Sequence, residues 1–326
     1  MISVLLPVYN GEEYISDAII SILNQSYKNF EFLIIDDGSD DKTEEVVKSF
    51  YDQRIKYIKK THSGLSDTLN CGLKRAKYDW VARMDADDIA HLERLNEQVK
   101  LIDRDKINII IGSWAAYYSN NSIIFAPDTP LSTEEVINKL SLHCCINHVT
   151  VLYNRNFILA NGGYNIELTS FVDYELWLRI REKAIFKVIP KYLLFINERD
   201  GSLSRGDSNK KNILEYLSKY YPLNTINTQF DIKTQNELLG WREYFYGDQH
   251  SARNYWKRNI SLFLNFRLII AFFITFLPNS LFNKFRKMQI RLRLLHIVFF
   301  FTKKNKLITD EFLNTKRKIL NYKNNF

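Results

Sequence analysis

The sequence predicts an α/β protein whose sheet is assembled from strand–helix–strand units. Over the first 112 residues, short β-branched or aliphatic segments alternate with amphipathic segments, as in such units. A chain of 326 residues that is 46% hydrophobic and 25% charged can also bury one sizeable core. The first amphipathic segment has helical periodicity, with apolar residues three and four apart at Ile15, Ala18, Ile19, Ile22 and Leu23.

The predicted strands of this first region lie, in chain order, at residues 2–7, 30–35, 55–58, 80–84 and 107–111. Strand-rich sequence returns at 114–125 and 149–153, and a helix is predicted over 171–183. A polar stretch covers 197–211, and the composition changes beyond residue 251. We therefore expect residues 1–112 and 113–210 to form two halves of one domain. Residues 211–326 are expected to form a helical C-terminal extension.

Charge is distributed unevenly along the chain. Residues 251–326 carry 16 Lys and Arg against Asp310 and Glu311, a net charge of +14, whereas residues 1–250 carry 29 basic and 35 acidic residues, a net charge of −6. A basic, aromatic tail on an acidic body indicates that a polyanionic partner would bind the tail. The candidates are an anionic lipid surface and nucleic acid.

Cysteine usage and the first residues both favour the cytoplasm. Cys71, Cys144 and Cys145 are odd in number and two are adjacent, which argues against a disulfide framework and for a reducing compartment. The first residues have no basic n-region and no small-residue cleavage site, so they are expected to form a strand and not a signal peptide.

Polar residues follow three of the predicted strands. Neither G-x-G-x-x-G nor G-x-x-x-x-G-K-[ST] occurs, which disfavours a Rossmann dehydrogenase and a P-loop enzyme. Ligands of parallel α/β sheets bind beyond the carboxyl ends of the strands. Each segment alone could be a turn or a helix start, but several carboxylates at one edge repel one another unless a cation is present. The segments are Pro7-Val8-Tyr9-Asn10, Asp36-Asp37-Gly38-Ser39 and Asp85-Ala86-Asp87-Asp88.

The Asp85-Ala86-Asp87 element offers hard oxygen ligands for Mg²⁺ or Mn²⁺ bridging a diphosphate. Together with its neighbours it resembles the nucleotide-sugar domain of the family 2 inverting glycosyltransferases. That resemblance implies the GT-A fold, a Rossmann-like mixed sheet flanked by helices. The matching stretches are Leu6-Pro7-Val8-Tyr9-Asn10, Ile34-Ile35-Asp36-Asp37-Gly38-Ser39, His62-Ser63-Gly64-Leu65-Ser66 with Asn70, and Arg83-Met84-Asp85-Ala86-Asp87-Asp88.

The same resemblance implies roles on the donor side. Asp85 is expected to serve the ribose and, with Asp87, the Mn²⁺ or Mg²⁺ ion and the diphosphate. Leu69 stands where many relatives carry Arg, and Arg83 is the candidate to supply that cation. The residues expected to hold the base, the ribose and the rest of the donor are Pro7, Val8, Tyr9, Asp36, Asp37 as the main contact, and Gly64.

Inverting transfer needs a general base on the acceptor hydroxyl and neutralisation of the departing diphosphate. The segment Phe171-Val172-Asp173-Tyr174-Glu175-Leu176-Trp177 resembles the family's helix-opening Glu-Asp motif, with Val172 in place of the acidic partner. The resemblance implies that Asp173 is the base. The alternative is purely structural, because Ser170-x-x-Asp173 is also a capping box.

Asn147-His148-Val149-Thr150-Val151 with Arg155 resembles the family segment before that helix, on the acceptor and diphosphate side. His148, Tyr174 and Trp177 are predicted there, and Gly162-Gly163-Tyr164 resembles the family's small-residue turn. Residues 202–205 resemble a mobile closing loop, with a solvated loop as the alternative. A zinc site at His143, Cys144, Cys145 and His148 is disfavoured, because vicinal cysteines do not form the usual C-x₂₋₄-C chelate.

The tail contains two short apolar runs, at residues 268–277 and 294–301, and the first is too short to span a bilayer. Arg286, Lys287, Arg291 and Arg293 lie between them. Basic residues beside Phe and Leu predict a helix that lies in an anionic membrane interface. The alternative is that these helices pack on the catalytic domain. Nucleic acid is disfavoured because no recognised nucleic-acid module accompanies the charge.

The sequence therefore predicts a metal-dependent inverting glycosyltransferase with a UDP-sugar as the expected donor. Resemblance implies a lipid-linked, undecaprenyl-type saccharide as the acceptor, in O-antigen or capsule assembly, and peripheral binding to the cytoplasmic face of the plasma membrane. One alternative is a non-catalytic, membrane-bound scaffold that binds a sugar nucleotide. Another is a sugar-phosphate nucleotidyltransferase, whose glycine-rich phosphate loop is missing near the N-terminus.

Overall fold

The computed structural model describes residues 1–141, 143–198, 215–216, 218–220, 232–258, 266–282 and 301–323. These residues fall into two compact units. The first takes in the described residues of 1–137, 144–202 and 302–326, and the second those of 138–143 and 203–301. The predicted closing loop at 202–205, the four basic residues at 286–293 and the apolar run up to residue 300 lie outside the described residues.

The first unit is built on a nine-stranded mixed sheet. Its order is β3-β2-β1-β4-β8-β6-β9-β5, with β7 paired to β6. Strands β1 to β4 pair in parallel, as do β6 and β9, whereas β8, β5 and β7 pair with their neighbours in antiparallel fashion. The strands are β1 (Ile2–Val8), β2 (Phe30–Asp36), β3 (Ile55–Lys59), β4 (Trp80–Arg83), β5 (Ile89–Ala90), β6 (Ile109–Ser119), β7 (Ser122–Phe125), β8 (Leu152–Asn154) and β9 (Ile185–Asn197).

Helices flank the sheet of the first unit, and further helices form the second unit. A short 3₁₀ helix lies at His148–Thr150. The α-helices are α1 (Ile15–Leu23), α2 (Thr43–Lys48), α3 (Leu65–Arg75), α4 (Arg94–Val99), α5 (Thr133–Leu140), α6 (Arg155–Ala160), α7 (Val172–Ile180), α8 (Ile232–Tyr246), α9 (Gln249–Lys257), α10 (Phe266–Ile274) and α11 (Phe301–Lys323).

Burial explains why the first elements form where the sequence predicts them. All seven residues of β1 are buried, as expected of a strand between two parallel neighbours with both faces covered. The five apolar residues of α1 that carry the helical period are also buried, in the same core cluster as β1 and β2. This stripe removes the apolar face of α1 from water, which is the main stabilisation of an amphipathic helix.

The strand predicted over 149–153 is wrong in its first half. The backbone N–H and the hydroxyl of Thr150 both donate to the carbonyl of Asn147, at 3.0 and 2.8 Å, which closes the 3₁₀ turn at His148–Thr150. Strand β8 begins only at Leu152. The helix predicted over 171–183 is also shorter than expected and covers Val172–Ile180.

The C-terminal helix α11 packs within the first unit. Ile308, Phe312 and Ile319 are buried in a cluster with Tyr118 and Phe195 of the sheet. The ring of Phe312 lies 4.7 Å from that of Tyr118 and 5.1 Å from that of Phe195, measured between centroids. Residues 301–323, which the sequence assigned to a C-terminal extension, therefore complete the core of the sheet-containing unit.

The second unit has its own small aromatic core, formed by α8, α9, α10 and the residues that follow α10. No helix among the described residues is both long enough and apolar enough to cross a bilayer. The buried core residues are Tyr244, Ala252, Trp256, Leu268, Ala271 and Phe282.

Candidate functional site

Three adjacent parallel strands end at one edge of the sheet, where the sequence predicted the site. Val8 pairs with Asp36 across β1 and β2, and Leu5 pairs with Arg83 across β1 and β4. The segments that follow β1, β2 and β4 therefore start beside one another. Pro7, Val8 and the exposed Tyr9 close the first strand.

The Asp36-Asp37 pair is buried and hydrogen-bonded to the protein's own loops. Asp36 accepts from the backbone N–H of Ser39 at 2.8 Å and from the hydroxyl of Tyr57. Asp37 accepts from Lys60 Nζ at 2.7 Å and from the backbone N–H of Gly64 at 2.8 Å. Burial alone would raise the pKa of Asp37, but these hydrogen bonds lower it below its usual value. Both carboxylates thus fix the segments after β2 and β3.

Gly64 holds a backbone conformation that favours glycine. Its φ is +94°, and it is the N-cap residue of α3. The N–H of this residue points to Asp37, so the loop after β3 is tied to the end of β2.

An aromatic pair lies on the open side of this loop. The rings of Tyr9 and His62 are 4.3 Å apart between centroids and tilted by 34°. Tyr9 is 49% exposed, and His62 Nδ1 lies 2.9 Å from Asp37 Oδ2. Sequence reasoning quoted His62 only as part of a motif. Its position two residues before Gly64, in the loop that faces β1, is the signal that could have marked it as a site residue.

The acidic segment after β4 forms a compact cluster. Carboxylate oxygens of Asp85, Asp87 and Asp88 lie within 4.8 Å of one another. Burial, and then the neighbouring Asp87 and Asp85, raise the pKa of Asp88 well above its usual value. Three such carboxylates are costly without a cation, and an all-oxygen set fits a hard divalent ion. Asp88 was not among the predicted ligands, although it directly follows them in the sequence.

Arg83 lies beside this cluster with an almost fully buried side chain. Its Nη2 pairs with Asp85, while Nε and Nη1 are buried without a hydrogen-bond partner. Burial opposes the charge, but Asp85 holds the pKa of Arg83 above its usual value. Most buried donors in folded proteins are satisfied. Two nitrogens without a hydrogen-bond partner on a buried cation therefore fit an anionic ligand at this point.

The side chain of Arg94 holds the main chain of Arg83 in place. Its guanidinium donates to the carbonyl of Arg83 at 2.5 Å and to Gln98 Oε1 at 3.2 Å. Burial, and then the charge of Arg83, lower the pKa of Arg94 to about 9. Arg94 fixes the backbone from which the Arg83 side chain extends.

Asp173, the predicted base, lies in the first turn of α7 and keeps part of its side chain exposed. Its Oδ1 accepts from the backbone N–H of Tyr174 at 2.9 Å, and Cys144 Sγ lies 3.6 Å from its Oδ2. Burial raises the pKa of Asp173, opposed by the Tyr174 N–H, the Arg83 charge and the Cys144 thiol. Phe171, and not Ser170, occupies the N-cap position, with φ of +56°, so the capping-box alternative does not describe this helix start.

His148 belongs to a buried hydrogen-bonded chain. Its Nε2 lies 2.7 Å from the Tyr164 hydroxyl, which lies 2.8 Å from the hydroxyl of Tyr153. Burial, and then the charge of Arg83, lower the pKa of His148 well below its usual value, so the imidazole is neutral. Tyr174 and Trp177 are both fully buried, and Trp177 Nε1 has no hydrogen-bond partner. These predicted acceptor-side residues therefore pack beneath the site.

The segment before α7 is fixed by a close approach to α3. Tyr164 N donates to Asn70 Oδ1 at 2.8 Å, and Asn70 Nδ2 donates back to the carbonyl of Tyr164 at 2.8 Å. Gly163 has φ of +65°, and a Cβ there would lie 2.5 Å from Asn70 Oδ1. Glycine is thus required both by the backbone conformation and by the contact.

The thiols and imidazole of the zinc alternative do not converge. Cys144 Sγ lies near the carbonyl of Ile146, Cys145 Sγ near the carbonyl of Val136, and His148 Nε2 near the Tyr164 hydroxyl. Within the described ranges, the acidic cluster is the group of ligating side chains that could hold a metal ion.

Comparison with known proteins agrees with this arrangement. The model of the glycosyl transferase family 2 matches residues 3–160, which include the three strand ends. Escherichia coli WfgD, named as a UDP-Glc:alpha-D-GlcNAc-diphosphoundecaprenol beta-1,3-glucosyltransferase, is 33% identical over 181 residues, which cover 55% of this chain and 69% of WfgD. An uncharacterized glycosyltransferase of Rickettsia prowazekii is 30% identical over 187 residues, which cover 55% of this chain and 58% of that protein.

Among solved structures, residues 1–349 of S. aureus TarS in complex with UDP-GlcNAc superpose with a TM-score of 0.58 at 19% identity, covering 86% of this chain and 82% of that chain. This likeness, together with the mixed sheet, confirms the predicted GT-A fold. The matches span between 27% and 60% of the length of five Rickettsia glycosyltransferases, so parts of those proteins have no counterpart in this alignment.

Proposed function

The chain belongs to glycosyl transferase family 2, and from that premise we propose that it transfers a sugar from a UDP-sugar to a hydroxyl of a lipid-linked saccharide during surface polysaccharide assembly. Two comparisons support the choice of substrates. The name of WfgD specifies a UDP-Glc donor and a diphosphoundecaprenol-linked acceptor. TarS, which shares the fold, has been crystallised with UDP-GlcNAc.

On the donor side, Tyr9 and His62 offer an exposed aromatic surface for the base, and Asp36 and Asp37 hold the loops around it. Asp85 and Asp87, with Asp88 beside them, are the proposed ligands of Mn²⁺ or Mg²⁺. When bound, the divalent ion neutralises the charge that develops on the departing diphosphate. The unsatisfied Nε and Nη1 of Arg83 would supply further N–H donors to the diphosphate.

On the acceptor side, Asp173 acts as the general base. Its carboxylate accepts the proton of the acceptor hydroxyl while that oxygen bonds to the anomeric carbon. The bond from this carbon to the phosphate oxygen breaks on the opposite face, and the electron pair leaves with the nucleoside diphosphate. One displacement without a covalent enzyme intermediate inverts the configuration, so an α-linked donor gives a β-linked product. A base with a raised pKa, as burial gives Asp173, accepts this proton more readily than an ordinary carboxylate.

The observation that carries this function is that one cation, Arg83, interacts with residues of both the proposed donor side and the proposed acceptor side. Arg83 pairs with Asp85 of the acidic cluster, and its charge also lowers the pKa of Asp173 and of His148. The donor carboxylates and the proposed base thus lie within electrostatic reach of one buried guanidinium. A scaffold that only binds a sugar nucleotide needs no second carboxylate that interacts with that cation, so the arrangement favours catalysis.

The test is replacement of Asp173 by Asn, with Glu167→Gln as an exposed control outside the proposed machinery. Release of UDP is measured with Mn²⁺, a panel of UDP-sugars and an undecaprenyl-linked saccharide. We expect Asp173→Asn to lower the turnover number by roughly 10²- to 10⁴-fold, the usual contribution of a general base, while UDP binding persists. Turnover by Asp173→Asn at the rate of the Glu167→Gln control would exclude Asp173 as the base. Absence of UDP release by the wild-type protein with every donor would favour the scaffold.

We place the protein peripherally on the cytoplasmic face of the plasma membrane, through α10 and the residues that follow it. Phe273 is 65% exposed, Phe276 is 53% exposed and Leu281 is 43% exposed. The guanidinium of Arg253 lies 4.2 Å from the centre of the Phe276 ring. Exposed aromatic residues beside cationic ones are typical of surfaces that bind anionic lipid, and residues 251–300, which carry nine Lys and Arg and no Asp or Glu, add attraction.

Vesicle binding tests this placement. The double variant Phe273→Ser/Phe276→Ser should co-sediment less with anionic phosphatidylglycerol vesicles than the wild type. Binding should also weaken as salt rises, because exposed charges are screened. The control is Tyr51→Ser, which removes a 91% exposed aromatic residue from the first unit. Equal binding of the double variant and the control would contradict the role of this surface.

A further inference from the structure

We propose that Cys144 positions the general base: its thiol donates a hydrogen bond to Asp173 and holds the carboxylate in the orientation that receives the acceptor hydroxyl. This inference rests on the proposed function of Asp173. It concerns a residue that sequence reasoning considered only as a zinc ligand. Cys144 acts through Asp173, without contact to the substrate, and is therefore a positioning residue.

The geometry restrains both oxygens of Asp173 from different parts of the chain. Oδ1 accepts from the backbone N–H of Tyr174 at 2.9 Å, within α7. Oδ2 lies 3.6 Å from Cys144 Sγ, in the segment before the 3₁₀ helix. A carboxylate has about four lone-pair sites, and these two contacts leave others open for the acceptor hydroxyl. The two contacts thus restrain rotation of the carboxylate and leave it accessible to the acceptor hydroxyl.

The thiol is a donor in this contact. Burial, and then the Asp173 charge, raise the pKa of Cys144 well above its usual value, so the sulfur keeps its proton. That proton has a second acceptor, because Sγ also lies 3.3 Å from the carbonyl of Ile146. An ionised carboxylate is the stronger acceptor of the two. Once Asp173 has taken the acceptor proton and lost its charge, the thiol can turn to Ile146, and no proton passes between Cys144 and Asp173.

Charged and titratable groups on several elements act on Asp173 and Cys144. Arg83 and the Cys144 thiol favour the ionised form of Asp173, while the surrounding protein disfavours it. Tyr164 also interacts with Asp173, and Cys145 also interacts with Cys144. Loss of the thiol removes one of the interactions that oppose the effect of burial on the pKa of Asp173. Protonation of Asp173 should then occur at higher pH.

The first experiment compares pH profiles of turnover for Cys144→Ala, Cys144→Ser and Cys145→Ala. Cys145 is the matched control because it is adjacent and buried, and its thiol lies near the Val136 carbonyl. We expect Cys144→Ala to move the acid limb to higher pH and to lower the maximal turnover by roughly 3- to 10-fold, the effect of losing one hydrogen bond. Cys144→Ser keeps a donor and should restore most of both. An acid limb of Cys144→Ala that coincides with that of Cys145→Ala would overturn the proposal.

The second experiment does not depend on activity. The rate at which Cys144 reacts with iodoacetamide is followed against pH in the wild type and in Asp173→Asn, with each modified cysteine identified by peptide mass spectrometry. If the thiol faces the carboxylate, Cys144 should react at lower pH in Asp173→Asn, while Cys145 is unchanged. Identical Cys144 profiles in the two proteins would overturn the contact. A changed profile in an Asp173→Asn protein that still turns over would support the contact and refute the proposed base, so the two failures are distinguishable.

Discussion

The backbone N–H of Asn197 donates to Asp88 Oδ1 over 2.9 Å, which bonds the last residue of β9 to the acidic cluster after β4. Asp88 directly precedes β5, and β5 pairs with β9 through Ile89 and Phe195. The buried carboxylate of Asp88 thus contacts both the end of β9 and the proposed metal ligands Asp85 and Asp87.

Asp88→Ala and Asp88→Asn should separate these contacts. The Ala variant removes the acceptor of the Asn197 N–H and should lower the free energy of unfolding by about 1–3 kcal/mol. The Asn variant keeps an acceptor and should lose less. Both remove a carboxylate that could bind the ion and should raise the Mn²⁺ concentration needed for half-maximal UDP binding. Chemical denaturation and Mn²⁺ titration measure the two effects. An unchanged Mn²⁺ requirement in Asp88→Asn would show that this carboxylate does not serve the ion.

Arg83→Met should weaken both sides of the reaction. The variant removes the unsatisfied donors on Nε and Nη1 and the ion pair with Asp85. We expect kcat/KM to fall by at least about 10²-fold, as for loss of a donor that stabilises developing charge. The acid limb of turnover should also move to higher pH, because the Arg83 charge lowers the pKa of Asp173. Arg75→Met, at the exposed end of α3, is the control. Wild-type kcat/KM in Arg83→Met would remove Arg83 from the donor side.

The sequence predicted where β1, β2 and β4 end because those signals are local. Strand β1 is predominantly apolar and ends at Val8, directly before Tyr9, and β4 ends at Arg83, two residues before Asp85, so the pattern of apolar segments places these residues just after the strand ends. Parallel pairing of β1, β2 and β4 then brings the ends together. No long-range information beyond the βαβ pattern was required.

Contacts between distant segments could not be predicted in this way. Cys144 approaches Asp173 across 29 positions, and Asn70 bonds Tyr164 across 94, with no period or spacing that marks either pair. Helix α11 was assigned to an extension because its charge resembles that of the rest of the tail. Its buried stripe of Ile308, Phe312 and Ile319 meets a complementary surface that only the folded sheet creates.

The pH dependence of turnover follows from the environment of Asp173. The base must be ionised, and burial raises its pKa above that of an ordinary aspartate, which is about 3.9. Turnover should therefore be full above the folded pKa and be lost as the pH falls through it, with an acid limb above that of an exposed aspartate. Turnover measured against pH at saturating donor and Mn²⁺ reports this limb. A limb at or below the ordinary aspartate value would contradict the proposed environment.

Phe312→Ala tests whether α11 is part of the sheet-containing unit. The Phe312 ring is fully buried between Tyr118 and Phe195, so its removal leaves a cavity in the core. Loss of a buried phenylalanine costs about 3–5 kcal/mol of the free energy of unfolding. Leu320→Ala on the same helix removes a side chain that is 57% exposed, and we expect a change within about 0.5 kcal/mol. Urea denaturation followed by circular dichroism compares the two. Equal stability of both variants would mean that α11 does not contribute to the core in solution.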